Sequence, residues 1–420
     1  MPAFEIDGGL PLRGVVEISG AKNAALPLMA AGLLTRERLR LHRVPHASDI
    51  DTMVKVLRDL GVNAEWSGNN TLDLRVTDES PCTAPREYTL AMRASICVLG
   101  PLLARRCVAH ITPPGGCKIG ERPIDAHIKG LKALGARVVE SSETITASAR
   151  RLTGAEIDLS VPSGSTVLGT ANVMSAATLA KGRTIIQNAA CEPEVCQLAE
   201  LLNAMGAQIT GIGSKQIVVD GVRELHGAEI ELIPDRIEAG TFMVAAAITG
   251  GNVLMRNVRR AHMDAVFQAL LHMGVDLSEE SSGWRVRGQT RFRPADIVTA
   301  PFPGYPTDMQ AQIMALMCVA DGISAVQDTI YPDRFHHVAE LRRMGARIKR
   351  GSNRAWITGV ERLTGAHVTA SDLRASAALV LAGLVAHGRT TIAEVQHIDR
   401  GYERIVEKLS GLGAKIRRVG

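Results

Sequence analysis

The sequence predicts an α/β protein made of six repeats of about 70 residues, with buried helices at the centre and sheets outside. Two observations carry this expectation. The first is an amphipathic helix that ends six times in Leu/Met-Gly-Ala/Val. Its glycines are Gly61, Gly135, Gly206, Gly274, Gly345 and Gly413, spaced 74, 71, 68, 71 and 68 residues apart. Each stands where a helix ends in a left-handed residue. Each is followed by a short alternating segment such as Arg137-Val138-Val139, which is a strand pattern. The second observation is a helix rich in alanine and methionine, small and apolar nearly all round, which marks a buried helix. It recurs at 24–31, 170–180, 241–248, 310–317 and 374–382. Most copies end at a glycine (Gly182, Gly250, Gly322, Gly388) ahead of a β-rich segment.

Helices that are apolar on every side place the sheets around a helical centre, rather than helices around a sheet. Six repeats divide as three plus three, with a break at Leu232-Ile233-Pro234. About twenty N-terminal residues fall outside the first repeat and are free to supply a strand to the second half. The expected domains are therefore 22–232, carrying the loop around Cys117, and 1–21 together with 233–420. The active site is expected in the cleft between them, a usual place for a ligand.

Composition narrows the function. At 420 residues the chain exceeds what one core supports. Hydrophobic residues make up 46% and charged residues 22%, an ordinary globular balance. Aromatics at 3% argue against base-stacking platforms, and hence against nucleic acid. A net charge of +5 without long Lys/Arg runs suits a small anionic ligand. The cysteines (82, 97, 107, 117, 191, 196 and 318) form no Cys-x-x-Cys pair, and histidines 127, 262, 336 and 337 lack metal spacing. No metal and no organic cofactor is expected. The N-terminus lacks a basic stretch followed by an apolar core, and no apolar run approaches a membrane span, so a cytoplasmic protein is expected.

The chemistry concentrates in a few stretches. Residues 113–123 hold three prolines and three glycines, so they form a loop. Lys118 and Arg122 bracket Cys117 there, and neighbouring cations favour the reactive thiolate; the other reading is a surface loop with a bystander cysteine. Ser19-Gly20-Ala21-Lys22-Asn23 opens the first buried helix, either as an anion site or as a plain helix start. Arg93 and Arg374 enter two other buried helices, where an arginine requires a partner. For Arg374 that partner is either a ligand or, as a structural salt bridge, Asp372. Asp308 opens a further buried helix, as a cap or as a general base. Arg334 and Arg400 stand in loops at corresponding repeat positions; Arg400 is a phosphate or carboxylate ligand or part of a solvated face.

Taken together these stretches resemble the enolpyruvyl transferases over the whole chain, from Ile18–Asn23 to Asp399–Arg404. The most specific parts are Pro114-Gly115-Gly116-Cys117, the 306–312 run Pro-Thr-Asp-Met-Gln-Ala-Gln, and the 372–376 run Asp-Leu-Arg-Ala-Ser. The cysteine loop places the resemblance in the sugar-nucleotide branch, not the shikimate branch. The resemblance implies a two-domain inside-out α/β barrel, each domain of three repeats around pseudo-threefold symmetry. It implies transfer of the enolpyruvyl group of phosphoenolpyruvate to the 3-hydroxyl of UDP-N-acetylglucosamine, with release of phosphate, the first committed step of peptidoglycan precursor synthesis.

By the resemblance, Cys117 protonates C3 of phosphoenolpyruvate, can form a covalent adduct with it, and is the thiol alkylated by fosfomycin. Asp308 takes the proton from the sugar hydroxyl. Lys22, Arg122 and Arg400 bind phosphoenolpyruvate, Lys22 as part of the catalytic set, with Arg93, Arg334 and Arg374 in support. Asn23 contacts substrate at the domain junction, and Arg93, Arg122, Pro123, Asp125, Asp308 and Ile330 lie along the UDP-sugar. The 162–170 run Pro-Ser-Gly-Ser-Thr-Val-Leu-Gly-Thr departs from the family's usual Pro-Ser-Val-Gly-Ala-Thr, in a region that contacts uridine and diphosphate. Gly164, Ser165, Thr166 and Val167 still offer backbone N–H and hydroxyl donors there. The departure keeps open another nucleotide acceptor such as UMP. Loss of Cys117, Asp308 or Lys22 would have favoured a non-catalytic nucleotide-sugar-binding paralogue; all three are present.

Overall fold

The computed structural model describes residues 2–116, 120 and 123–420. The described chain forms two compact units, one from 20–116 and 123–233, the other from 2–19 and 234–420.

The unit spanning 20–116 and 123–233 has three buried helical segments. They are Lys22–Ala31, Leu99–Arg106 with its preceding 3-10 turn Arg93–Val98, and Val167–Ala177. The half-exposed helices Ser48–Asp59, Asp125–Ala133 and Pro193–Ala204 pack beside them, with every third or fourth side chain turned inward. One continuous apolar core joins all six to the sheets. The sheet of the first repeat is Leu39–His42, Leu72–Val76 and Val62–Trp66, and Ala228–Glu231 adds a parallel fourth strand at its edge. The other two sheets are built from Val108–Ile111, Ile145–Ser148 and Arg137–Glu140, and from Glu156–Asp158, Arg183–Gln187, Gln216–Asp220 and Gln208–Thr210.

The second unit repeats the plan. Its buried helices are Arg236–Ile248, Gln310–Met317 and Leu373–Val385. Arg13–Glu17 lies parallel to Asn252–Arg256 in one sheet. In another, Ala3–Asp7 lies between Arg389–Ala393 and Lys415–Val419, antiparallel to both, with Ala3 opposite Ala393 and Val419. One of the two inner strands of the last repeat's four-stranded sheet therefore comes from the beginning of the chain.

Among the described residues there are six sheets, and the six repeat glycines all have φ between +77° and +99°. In repeats two to six the following residue donates its N–H back to the carbonyl five positions earlier, as Ala136 does to Leu131 and Ala414 to Leu409. Each glycine N–H bonds to the carbonyl three positions back, which closes the helix end. A side chain at such a φ would clash with the following carbonyl, so the glycine sets where the helix stops and the strand begins. Three helix starts are fixed by side chains: Asp235 accepts from the N–H groups of Ile237 and Glu238, Asp372 from those of Arg374 and Ala375, and Thr166 from that of Gly169. No helix among the described residues is long and apolar enough to cross a membrane.

Candidate active site

The groups named from sequence recur at one place in the repeat, the start of the buried helix. Lys22 is the first residue of Lys22–Ala31 and Arg93 opens the 3-10 turn Arg93–Val98. Asp308 lies in the turn Thr307–Met309 ahead of Gln310–Met317, and Arg374 is the second residue of Leu373–Val385.

In the second unit three of these residues meet. Arg334 Nη1 donates to Asp308 Oδ1 at 2.7 Å, and Arg374 Nη2 donates to Oδ2 at 2.9 Å. The arginine side chains are 8% and 4% exposed and the aspartate 28%. Burial alone pushes the Asp308 carboxyl up, but the guanidinium groups of Arg374 and Arg334 outweigh it and hold the carboxyl well below the usual carboxylate range. Both arginines are raised: burial works against their charge, and Asp308 more than restores it. His337, buried nearby, is pushed down to about 4 by desolvation, so it adds no positive charge at neutral pH.

The surroundings keep the cluster in place. Arg374 lies over the Tyr402 ring, 5.4 Å from its centroid, and Tyr402 Oη pairs with Thr241 Oγ1 at 2.8 Å. Gln312 Nε2 donates to the Asp308 carbonyl at 2.8 Å. Asp328 is fully buried and accepts from Thr299 Oγ1, Thr307 Oγ1 and the N–H groups of Ile330 and Tyr331, at 2.7–2.9 Å. It thus fixes both the neighbour of Asp308 and the turn that carries half-buried Ile330. Arg374 Nε and both amide atoms of fully buried Gln310 have no hydrogen-bond partner among the described residues.

Two structural readings are excluded here. Asp308 makes no cap bond to either helix start beside it; its carboxylate is given to the arginines. Asp372 is not the ion partner of Arg374, because its carboxylate caps the helix on which Arg374 sits.

In the other unit Lys22 Nζ pairs with Asp49 Oδ2 at 2.9 Å, the two side chains 9% and 7% exposed. Half-buried Asn23 follows Lys22 on the helix. Arg93 donates to the carbonyls of Pro114 at 3.4 Å and Pro123 at 3.2 Å, so it ties together residues on both sides of the cysteine. Gly115 donates to Thr89 O, and a Cβ placed on it would lie 2.0 Å from the Leu90 carbonyl oxygen. Its glycine is thus required by packing against its own chain, not only by a ligand's approach. Asp125 is exposed in the first turn of Asp125–Ala133.

The Gly164 N–H is not free for a phosphate, as the sequence had suggested, because it donates to Val161 O at 2.8 Å in a tight turn with Gly164 at φ +112°. Thr166 Oγ1 accepts from Gly169 N–H at 3.2 Å, which leaves its hydroxyl proton to donate. Ser165 and Val167 flank Thr166 at the start of Val167–Ala177, where the first N–H groups of a helix lack intrahelical partners. Arg400 is half-buried at the end of the 3-10 turn Val395–Arg400. Cys117 and Arg122 lie outside the described residues.

Sequence reasoning missed Asp328, Asp49 and Tyr402. Asp328 carried a readable signal, since Asp two residues ahead of a turn reads as an Asx motif. Asp49 carried none, because an acid in the first turn of a helix is ordinary.

A half-buried carboxylate shared between two buried guanidinium groups suits a transferase acting on anions. The chain matches the EPSP synthase (3-phosphoshikimate 1-carboxyvinyltransferase) family over residues 6–409. It is 51% identical over 420 residues to the UDP-N-acetylglucosamine 1-carboxyvinyltransferase of Methylacidiphilum infernorum, covering 100% of this chain and 99% of that protein. It is 50% identical to UDP-N-acetylglucosamine 1-carboxyvinyltransferase 2 of Carboxydothermus hydrogenoformans, covering 100% of both. Among solved structures, the enolpyruvyl transferase NikO from Streptomyces tendae aligns with a TM-score of 0.89 at 25% identity, over 100% of this chain and 99% of that one. EPSP synthase from Acinetobacter baumannii shares the fold, with a TM-score of 0.76 at 20% identity over the whole of both chains. The chain belongs to the carboxyvinyl (enolpyruvyl) transferase family.

Proposed function

We propose that this protein transfers the enolpyruvyl group of phosphoenolpyruvate to the 3-hydroxyl of UDP-N-acetylglucosamine and releases phosphate. The observation that carries the reading is the Arg334–Asp308–Arg374 cluster. It supplies cations for a carboxylate and a phosphate dianion, and one acid–base group besides, in a chain half identical to proteins bearing that activity in their names. The addition needs a base for the attacking oxygen and an acid for the vinyl carbon; Asp308 and Cys117 take these roles. Lys22, Arg122 and Arg400 bind the phosphoenolpyruvate anion, and fixed cations stabilise the charge that develops in the adduct. Asn23, Pro123, Asp125, Ile330 and residues 165–167 bind the nucleotide sugar. The two domains of the reaction cycle are 22–232 and 1–21 with 233–420.

The test is phosphate release from phosphoenolpyruvate with and without UDP-N-acetylglucosamine. Release that depends on the sugar nucleotide is expected, and Cys117→Ser should lose most of it while keeping nucleotide binding. Release supported by UMP and not by the sugar nucleotide would favour a second reading. The 162–170 run, which departs from the family's usual one, is what keeps that acceptor open.

A further inference from the structure

Asp308 presents a conflict if it is the base. An efficient general base has a pKa near the working pH. A carboxylate gripped on both oxygens by two buried guanidinium groups is a poor proton acceptor, since each hydrogen bond and each charge favours the ionised form. Both of its oxygens already serve as acceptors, so a substrate hydroxyl would compete with charge-assisted bonds of 2.7 and 2.9 Å.

The same two arginines have donors to spare. One carboxylate bonds both guanidinium groups, and the buried Nε of Arg374 still lacks an acceptor among the described residues. Arg334 is shared with a neutral group, Thr307 Oγ1 at 3.2 Å, and Arg374 with the Tyr402 ring. The buried carboxylates of Asp372 and Asp235 also favour the charges of Arg334 and Arg374. The cluster therefore has unused donor capacity, the property of an anion site filled by a weaker stand-in.

We propose that Asp308 is the built-in counter-ion of the donor's anion site: it occupies Arg334 and Arg374 until the phosphoenolpyruvate anion takes them, and only then is its carboxylate released to act as base. This rests on the function proposed above. It makes the donor a condition for activating the acceptor, so the hydroxyl is not deprotonated before an electrophile is in place. It also means that the donor's affinity is reduced by the fraction of protein in which Asp308 holds the arginines.

The test compares phosphoenolpyruvate binding by calorimetry, without acceptor, in Cys117→Ser protein and in the same protein with Asp308→Asn. Removing the charge of the stand-in is expected to lower Kd by about tenfold or more, although the base is gone. Asp308→Glu keeps the charge and is expected to bind as the parent does. Equal or weaker binding by Asp308→Asn overturns the proposal, and so does tighter binding by both variants. Absence of phosphoenolpyruvate binding by both the parent and Asp308→Asn overturns the proposal, and absence of sugar-nucleotide-dependent phosphate release by the unsubstituted protein overturns the proposed function itself. If Asp308→Asn does not fold, carboxyl-13C aspartate spectra of the parent decide: the resonance missing from Asp308→Glu must shift when phosphoenolpyruvate is added, and an unmoved resonance overturns the proposal.

Discussion

The two units hold their buried cations in different ways. Lys22 and Asp49 form a pair of one ammonium and one carboxylate, and as a pair they are neutral. Asp308 is shared by Arg334 and Arg374, so one carboxylate bonds two guanidinium groups. Burying an ion is costly, and each cation meets that cost with a carboxylate while it keeps further N–H donors for a ligand. The buried Nε of Arg374 is such a donor. The comparison teaches that the way a carboxylate is shared, rather than the number of cations, distinguishes the two clusters.

The largest effect that would break this comparison is on turnover. Asp308→Ala is expected to lower phosphate release by roughly 10²–10⁴-fold, the range for loss of a general base, with an unchanged circular dichroism spectrum. Asp49→Ala should act mainly on KM for phosphoenolpyruvate, through a less firmly held Lys22. Equal losses of kcat in both variants would erase the distinction between pair and cluster.

The next effect is on stability. Asp308→Asn takes a shared carboxylate from two buried guanidinium groups and is expected to cost roughly 3–5 kcal/mol in urea unfolding; Asp49→Asn takes a carboxylate from one ammonium and should cost less. Acid sharpens the point. The Asp308 carboxyl is held below its unfolded value, so its contribution is present above that value and is lost as pH falls through the folded one. The gap between wild type and Asp308→Asn should be full at pH 7 and begin to close below about pH 4. A gap that stays constant down to about pH 2 would show that the ion pairs are not its source.

The smallest effect lies away from both clusters. In the second repeat Cys107 stands where Gly182, Gly250, Gly322 and Gly388 stand in four others, and it keeps the left-handed backbone at φ +64°. Cys107→Gly is expected to raise the unfolding free energy by about 1 kcal/mol, less whatever the Sγ contact with Arg150 O contributes. A loss of stability would mean that this contact outweighs the backbone strain.

The repeat was legible because its signals are local. A glycine that ends a helix and an alanine-rich stretch that excludes water act within one turn of chain, and six copies made the period plain. The site was legible as a set of residues and not as a set of partners. Asp372 stands two residues from Arg374 and looked like its partner. Residues two apart on a helix start face different ways, so Asp372 caps the helix while Arg374 reaches Asp308, 66 residues away in sequence.

The sequence by itself determined the six-fold period, the buried helices, the helix ends and the residue types of the candidate site. Each of these depends on backbone dihedrals or on apolar spacing within a single element. Only the tertiary structure decided that Ala3–Asp7 completes the last repeat's sheet, that Asp49 answers Lys22, and that one aspartate serves two arginines. These require groups far apart in sequence to meet at hydrogen-bond distance, and burial then makes each such meeting obligatory, because a buried charge must find its opposite wherever the fold brings it.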